Sequence, residues 1–181
     1  MRTGAAIALA AALALACSPI AVPPGSPTPR AVPSIAMGEE CRSAEGGYAI
    51  RAPAGWWTNA PEDAPPCSYF HPEEFEIGPG VELRAAVRVS MAAFPFEQAS
   101  STEGLRVLSE ERLTVAGRPA LRREAEAVGD PLVPAGTRVY TYYVEAAPGR
   151  TLIAATSQLA EADYEGTRAV LDAMMATLQL E

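Results

Sequence analysis

Three cysteines, one histidine, several glutamate pairs and a few adjacent aromatics are the residues of this 181-residue chain with chemistry to offer. His71 stands in His71-Pro72-Glu73-Glu74-Phe75-Glu76, which offers one ring nitrogen and several carboxylate oxygens to a cation. One histidine does not make a typical zinc site, and loop carboxylates are ordinarily just solvated, so the segment reads as a surface turn. The same ring would have to serve as the base for any serine nucleophile, and no Gly-x-Ser-x-Gly elbow accompanies it. Glu110-Glu111 and Glu124/Glu126 fall on strand-like segments, where alternation assigns them to the wet face. No glycine-rich phosphate loop is present. The expectation is therefore no enzyme, no cofactor and no metal; a hydrolase is the least favoured alternative.

Large amphipathic rings remain. Trp56 and Trp57, Tyr69-Phe70, and Tyr140 with Tyr142-Tyr143 supply the ring types that dominate recognition surfaces. Trp56, Trp57, Tyr140 and Tyr142 are the candidate binding surface, against the alternative that one ring of each group packs inward and its neighbour sits half exposed at an edge.

The cysteines divide by position. Arg2 precedes a purely apolar run from Ala5 to Ala16, too short for a spanning helix, which needs about 20 residues. It fits a cleaved secretory signal. Leu13-Ala14-Leu15-Ala16-Cys17 resembles a lipobox, with Leu13 one place further from the cysteine than usual. Residues 1–16 are expected as a lipoprotein signal peptide and Cys17 as the lipidated residue; an ordinary signal cut elsewhere is the alternative. Each buried methylene contributes about 0.8 kcal/mol, so two or three acyl chains make a lasting anchor. The expected location is the outer face of the cell membrane, or the outer membrane in a cell with two; Ser18 rather than Asp after the cysteine resembles the outer-membrane pattern. Cys41 and Cys67 remain, and in an exported chain they are most simply a disulfide. A reactive or metal-binding pair has little support without a CxxC or a histidine cluster.

The formal charge is −8, and losing residues 1–16, with Arg2, leaves −9 by the same count. An acidic chain lacks the basic face that a phosphate backbone needs, which excludes nucleic acid as a partner. Residues 17–37 carry prolines at 19, 23, 24, 27, 29 and 33, which rule out helix or central strand. They are expected as a semi-rigid tether, reaching up to roughly 60 Å at 3.1 Å per residue.

Residues 38–181 are expected to form a single α+β domain. Tyr48 and Ile50 alternate before Pro53-Ala54-Gly55 ends a strand. Val81, Leu83, Ala85, Val87, Val89 and Met91 occupy every second position, which predicts one continuous strand. Residues 108–115 and 120–127 flank Gly117-Arg118-Pro119, and residues 137–145 and 150–157 flank Ala147-Pro148-Gly149, which predicts two hairpins. Tyr164, Thr167, Leu171, Met174 and Leu178 share one helical face behind a capping Asp163. Residues 97–106 offer a weaker helix, interrupted by Ser100, Ser101 and Gly104. The sum is an antiparallel sheet with flanking helices, the C-terminal one packed on the sheet.

The order of these pieces resembles a known family. Gly47-Tyr-Ala-Ile-Arg-Ala-Pro-Ala-Gly-Trp56 opens it, and Leu113-Thr-Val-Ala-Gly-Arg-Pro-Ala120 follows a middle strand. A tyrosine-rich strand, Thr151-Leu-Ile-Ala-Ala-Thr156 and a Tyr164-initiated helix ending in Met174-Met-Ala-Thr-Leu178 complete it. Together, over residues 46–181, they resemble the PsbP-like family, an α/β/α sandwich shared by an extrinsic photosystem subunit, a nuclear-import accessory factor and many bacterial lipoproteins. The resemblance implies a module that binds or stabilises other proteins, and transfers no functional residue to this chain. The expected function is a membrane-anchored, non-enzymatic protein-binding or assembly module of the cell envelope. The alternative is a small-ligand or metal-binding lipoprotein using residues 71–76 or an aromatic pocket.

Overall fold

A computed structural model describes residues 34–181, apart from 61, 80, 130–132 and 161. The signal segment 1–16, Cys17 and the tether as far as residue 33 lie outside the described residues. The Ala36 carbonyl already accepts from the Ala54 N–H at 2.9 Å, and strand β1 (Met37–Ser43) takes up the last residue assigned to the tether.

Both predicted hairpins are present. Strands β6 (Leu105–Val115) and β7 (Arg118–Ala127) meet through Ala116-Gly117, with φ of 51° and 73°. Two positive φ values in a two-residue loop match the right-handed twist of the flanking strands. Arg118 and Pro119, expected in the turn, are the first residues of β7. Pro119 pairs only with Thr114, and pairing on the other side of β7 starts at Ala120, so its missing N–H breaks no central ladder. Strands β8 (Arg138–Ala147) and β9 (Arg150–Ser157) flank Pro148-Gly149.

Strands β3 (Trp57–Thr58), β4 (Tyr69–His71) and β5 (Val87–Ala92) complete an antiparallel sheet of order β3-β4-β5-β9-β8-β7-β6. A second sheet pairs β2 (Tyr48–Pro53) with β1 and β10 (Gln179–Leu180). The continuous strand expected over 81–91 is half right. Helix α1 (Val81–Arg84) takes the first positions, Ala85 N–H bonds the Val81 carbonyl at 2.8 Å, and β5 starts at Val87. Spacing of four puts Val81 and Ala85 on one side of a helix as well as of a strand, so alternation could not distinguish them.

Helix α3 (Tyr164–Met175) covers one face of the large sheet. The Asp163 carboxylate accepts from Gly166 N–H at 2.9 Å, satisfying one orphan donor of its first turn. Tyr164, Leu171 and Met174 pack with Ile50, Val87, Val89, Val144, Leu152 and Ala154 in the main core. Short helix α2 (Phe96–Ala99), shorter than the 97–106 segment offered, lies on the opposite face, with Phe96 against Leu121 and Tyr143. The architecture is the α+β arrangement the sequence indicates. Cys41 and Cys67 form the expected disulfide, and the Tyr48 hydroxyl donates to the Cys67 carbonyl at 2.9 Å. The bridge joins β1 of the small sheet to the segment leading into β4 of the large one. No helix among the described residues is long and apolar enough to cross a membrane.

Candidate functional site

The tyrosines offered as a binding surface are core residues. Side chains alternate along β8, and Tyr140 and Tyr142 fall on the face under α3, at 4% and 3% exposure. Both hydroxyls donate to Asp172 Oδ1, at 2.7 and 2.6 Å, and the two rings meet edge-on at 5.9 Å. Arg122 sits opposite Tyr142 on β7, pairs with Glu111 and approaches Asp172 at 3.7 Å. One step along, Glu124 is buried rather than wet: it pairs with Arg138 and with Arg168 at 3.3 Å, and accepts from the Tyr164 hydroxyl at 3.1 Å. Arg168 lies 4.8 Å above the Tyr140 ring.

Burial and, after it, the bond to Asp172 raise Tyr142 to about 12 and Tyr140 still higher. Burial and the neighbouring Glu124 likewise raise Tyr164. Phenols held so far above neutrality are fixed donors, not acids, bases or nucleophiles. This cluster pins α3 to the sheet.

The opposite face is only partly covered. Directly paired residues place Tyr69, Arg88, Ala155, Thr141, Arg123 and Glu110 in one row across it, from β4 to β6. Small side chains in the middle of that row leave a groove of about 390 Å³, walled by Leu105, Val128, Tyr143 and Ile153. A smaller hollow of about 50 Å³ beside it is lined by Ala85, Val139 and Leu159. Arg88 lines both.

The two arginines of the row differ in state. Arg123 is saturated: Nε binds Glu110 at 2.9 Å, Nη1 and Nη2 bind the Ser101 and Ser100 carbonyls, and the guanidinium stacks 5.4 Å from the Tyr143 centroid. Arg88 is half buried and has no ion pair or side-chain hydrogen bond among the described residues. The Thr141 hydroxyl, on the groove floor, likewise has no hydrogen-bond partner among them. Apolar walls with a few convergent polar groups are what a small-ligand site requires.

The chain is similar in structure to cyanobacterial PsbP from Synechocystis sp. PCC 6803, at 13% identity and a TM-score of 0.48, over 86% of this chain and 98% of that one. This is the family the sequence resembles, but at that identity and score the likeness carries no inference about function. No protein-family model matches the chain, and the search of curated proteins returns no match.

The remaining candidates are dispersed. Trp56 packs half buried against the main core, while Trp57 is 49% exposed on the edge strand β3, paired with His71. His71 is buried rather than in a surface turn, with Nδ1 held 3.1 Å from both the Glu73 N–H and carbonyl. Glu73, Glu74 and Glu76 border a cavity of about 290 Å³ beside it. Among the described residues no group of three or more His, Cys, Asp or Glu is placed to hold a metal ion. Sequence reasoning missed Thr141, and placed Arg88 only by alternation, on the wet face of its strand. The only available signal was an arginine alternating with Val87 and Val89, which identifies the uncovered face but not a bare guanidinium.

Proposed function

We propose that this chain is an exported lipoprotein, anchored through Cys17, whose domain is a non-enzymatic module docking an envelope protein along the β6 edge. The observation that carries this reading is the edge itself. Strand β6 runs for 11 residues at the end of the sheet, so its outer backbone donors and acceptors have no strand partner among the described residues. Proteins usually guard such edges with charge. Here Arg106, Glu110 and Glu111 are each tied across to β7, pairing with Glu126, Arg123 and Arg122. The register slips between Val107 and Ser109, and Val107 and Leu108 stand exposed there. Val128 is exposed beside them, its N–H bonded to Gly104 at the entry to β6. A free edge with aliphatic side chains suits addition of a partner strand, with backbone bonds for affinity and side chains for choice. The fixed, fully protonated tyrosine donors support a structural rather than a catalytic use of the polar cluster.

The test expresses the full chain in its own cells and takes native mass spectra of mildly solubilised membranes without reductant. Acyl mass on Cys17 and a companion polypeptide are expected. Leu108→Asp with Val128→Asp should remove the companion while leaving the circular dichroism spectrum unchanged. A companion retained by that variant, or none with the unaltered chain, refutes edge docking; an unacylated Cys17 refutes the anchor.

A further inference from the structure

We propose that the groove on the uncovered sheet face binds a small apolar carboxylate, with Arg88 as its anion anchor. This goes beyond edge docking and does not rest on it. A guanidinium offers five donors in a fork that matches a carboxylate. Arg123, in the same row, shows that match within the chain, with Glu110 and two carbonyls filling its fork. Arg88 has the same position relative to the sheet and no partner for its fork among the described residues.

A half-buried guanidinium with no protein partner among the described residues is open to a ligand, and the forked pair it would form with an anion is charge-assisted. The complement it lacks is therefore negative. Three strand intervals of about 4.8 Å separate Arg88 on β5 from Arg123 on β7, so the bound molecule has roughly 14 Å of floor along that row. Ala155 and Thr141 form the middle of that floor, with Ile153 and Tyr143 one step along and Val139 on the other side. Among the described residues the charged groups at the far end are Arg123, already neutralised, and exposed Glu103 at the mouth. A second anionic group there would meet Glu103, so the ligand carries its charge at one end and an uncharged apolar body behind it. A volume of about 390 Å³ lies within the range of small-molecule sites, about 300–1,000 Å³, and holds no folded element.

The experiment adds [1-13C]octanoate to the full chain in lipid nanodiscs, with empty nanodiscs as the blank, and follows the carboxyl resonance by NMR. A saturable bound signal absent from the blank is expected, competed by unlabelled octanoate but not by octylamine. Arg88→Gln should weaken octanoate about tenfold or more, since charge-assisted bidentate bonds are the strong ones, while leaving octanamide binding unchanged. Ala127→Leu, narrowing the groove at its half-buried rim, should weaken both. A signal identical to the blank overturns the proposal, as does Arg88→Gln binding octanoate like the unaltered chain. Equal competition by octylamine also overturns it. A companion polypeptide lost on Arg88→Gln, with octanoate unbound, would assign the groove to a protein segment instead. Leu108 does not line the groove, so loss of a companion on Leu108→Asp alone, with octanoate still bound, bears on the β6 edge, and the two readings fail separately.

Discussion

Asp172→Ala tests whether the polar cluster holds α3 on the sheet. One carboxylate oxygen accepts from Tyr140 at 2.7 Å and from Tyr142 at 2.6 Å, and both rings are buried. Removing the carboxylate strands two hydroxyls, and each stranded donor costs about 1–3 kcal/mol. The Asp172 side chain is 41% exposed, so water reaches the hydroxyls and the lower part of that range applies. The expected loss is about 2–3 kcal/mol for the pair. In a domain of this size, at about 2–4 °C per kcal/mol, this lowers Tm by roughly 5–10 °C. Urea unfolding followed by circular dichroism, with the disulfide intact, reads the loss directly. Asp172→Asn keeps an acceptor oxygen and should cost about 1 kcal/mol, because only the charge assistance is lost. The decisive control is Tyr140→Phe with Tyr142→Phe. In that background Asp172→Ala should cost no more than about 0.5 kcal/mol, since the partners are already gone. An Asp172→Ala chain as stable as the unaltered one, or an equal loss in the phenylalanine background, would refute the argument.

Two further outcomes follow from the same contacts. Burial raises Tyr48 and Tyr142 from about 10 to about 12, so the folded chain holds protons that the unfolded chain has released. The stability they contribute is complete below pH 10 and is lost as pH rises from 10 to 12; thermal scans across that window should fall, less steeply in Tyr48→Phe, and a flat profile would contradict the assignment. Replacing Cys41 and Cys67 together by serine removes a cross-link spanning 26 residues, which in the chain-entropy model costs about 3.5 kcal/mol. Urea midpoints of the two proteins measure it, and equal midpoints would mean the bridge does not constrain the unfolded chain.

The two hairpins and the C-terminal helix were legible because their signals are local. Gly117 and Pro148-Gly149 mark the turns within a residue or two, although the first loop proved to be Ala116-Gly117 rather than 117–119. Asp163 caps a helix whose apolar positions recur at its own period. The disulfide was legible from compartment logic and the small number of cysteines. Residues 81–86 were misread because a spacing of four satisfies two periodicities at once. Glu124, Tyr140 and Tyr142 were misread for a different reason: alternation separates two faces but does not say which will be covered.

What the sequence determined alone is thus the set of hairpins, the C-terminal helix and its cap, and the pairing of Cys41 with Cys67. The tertiary structure decided the rest by laying α3 on one face of the large sheet. That placement turned a glutamate and two tyrosines into a buried clamp and left Arg88, on the other face, with no ion pair among the described residues. The physical reason is range: turns, caps and periodicity act over a few residues, whereas the state of a side chain on a sheet depends on what a distant segment brings against it.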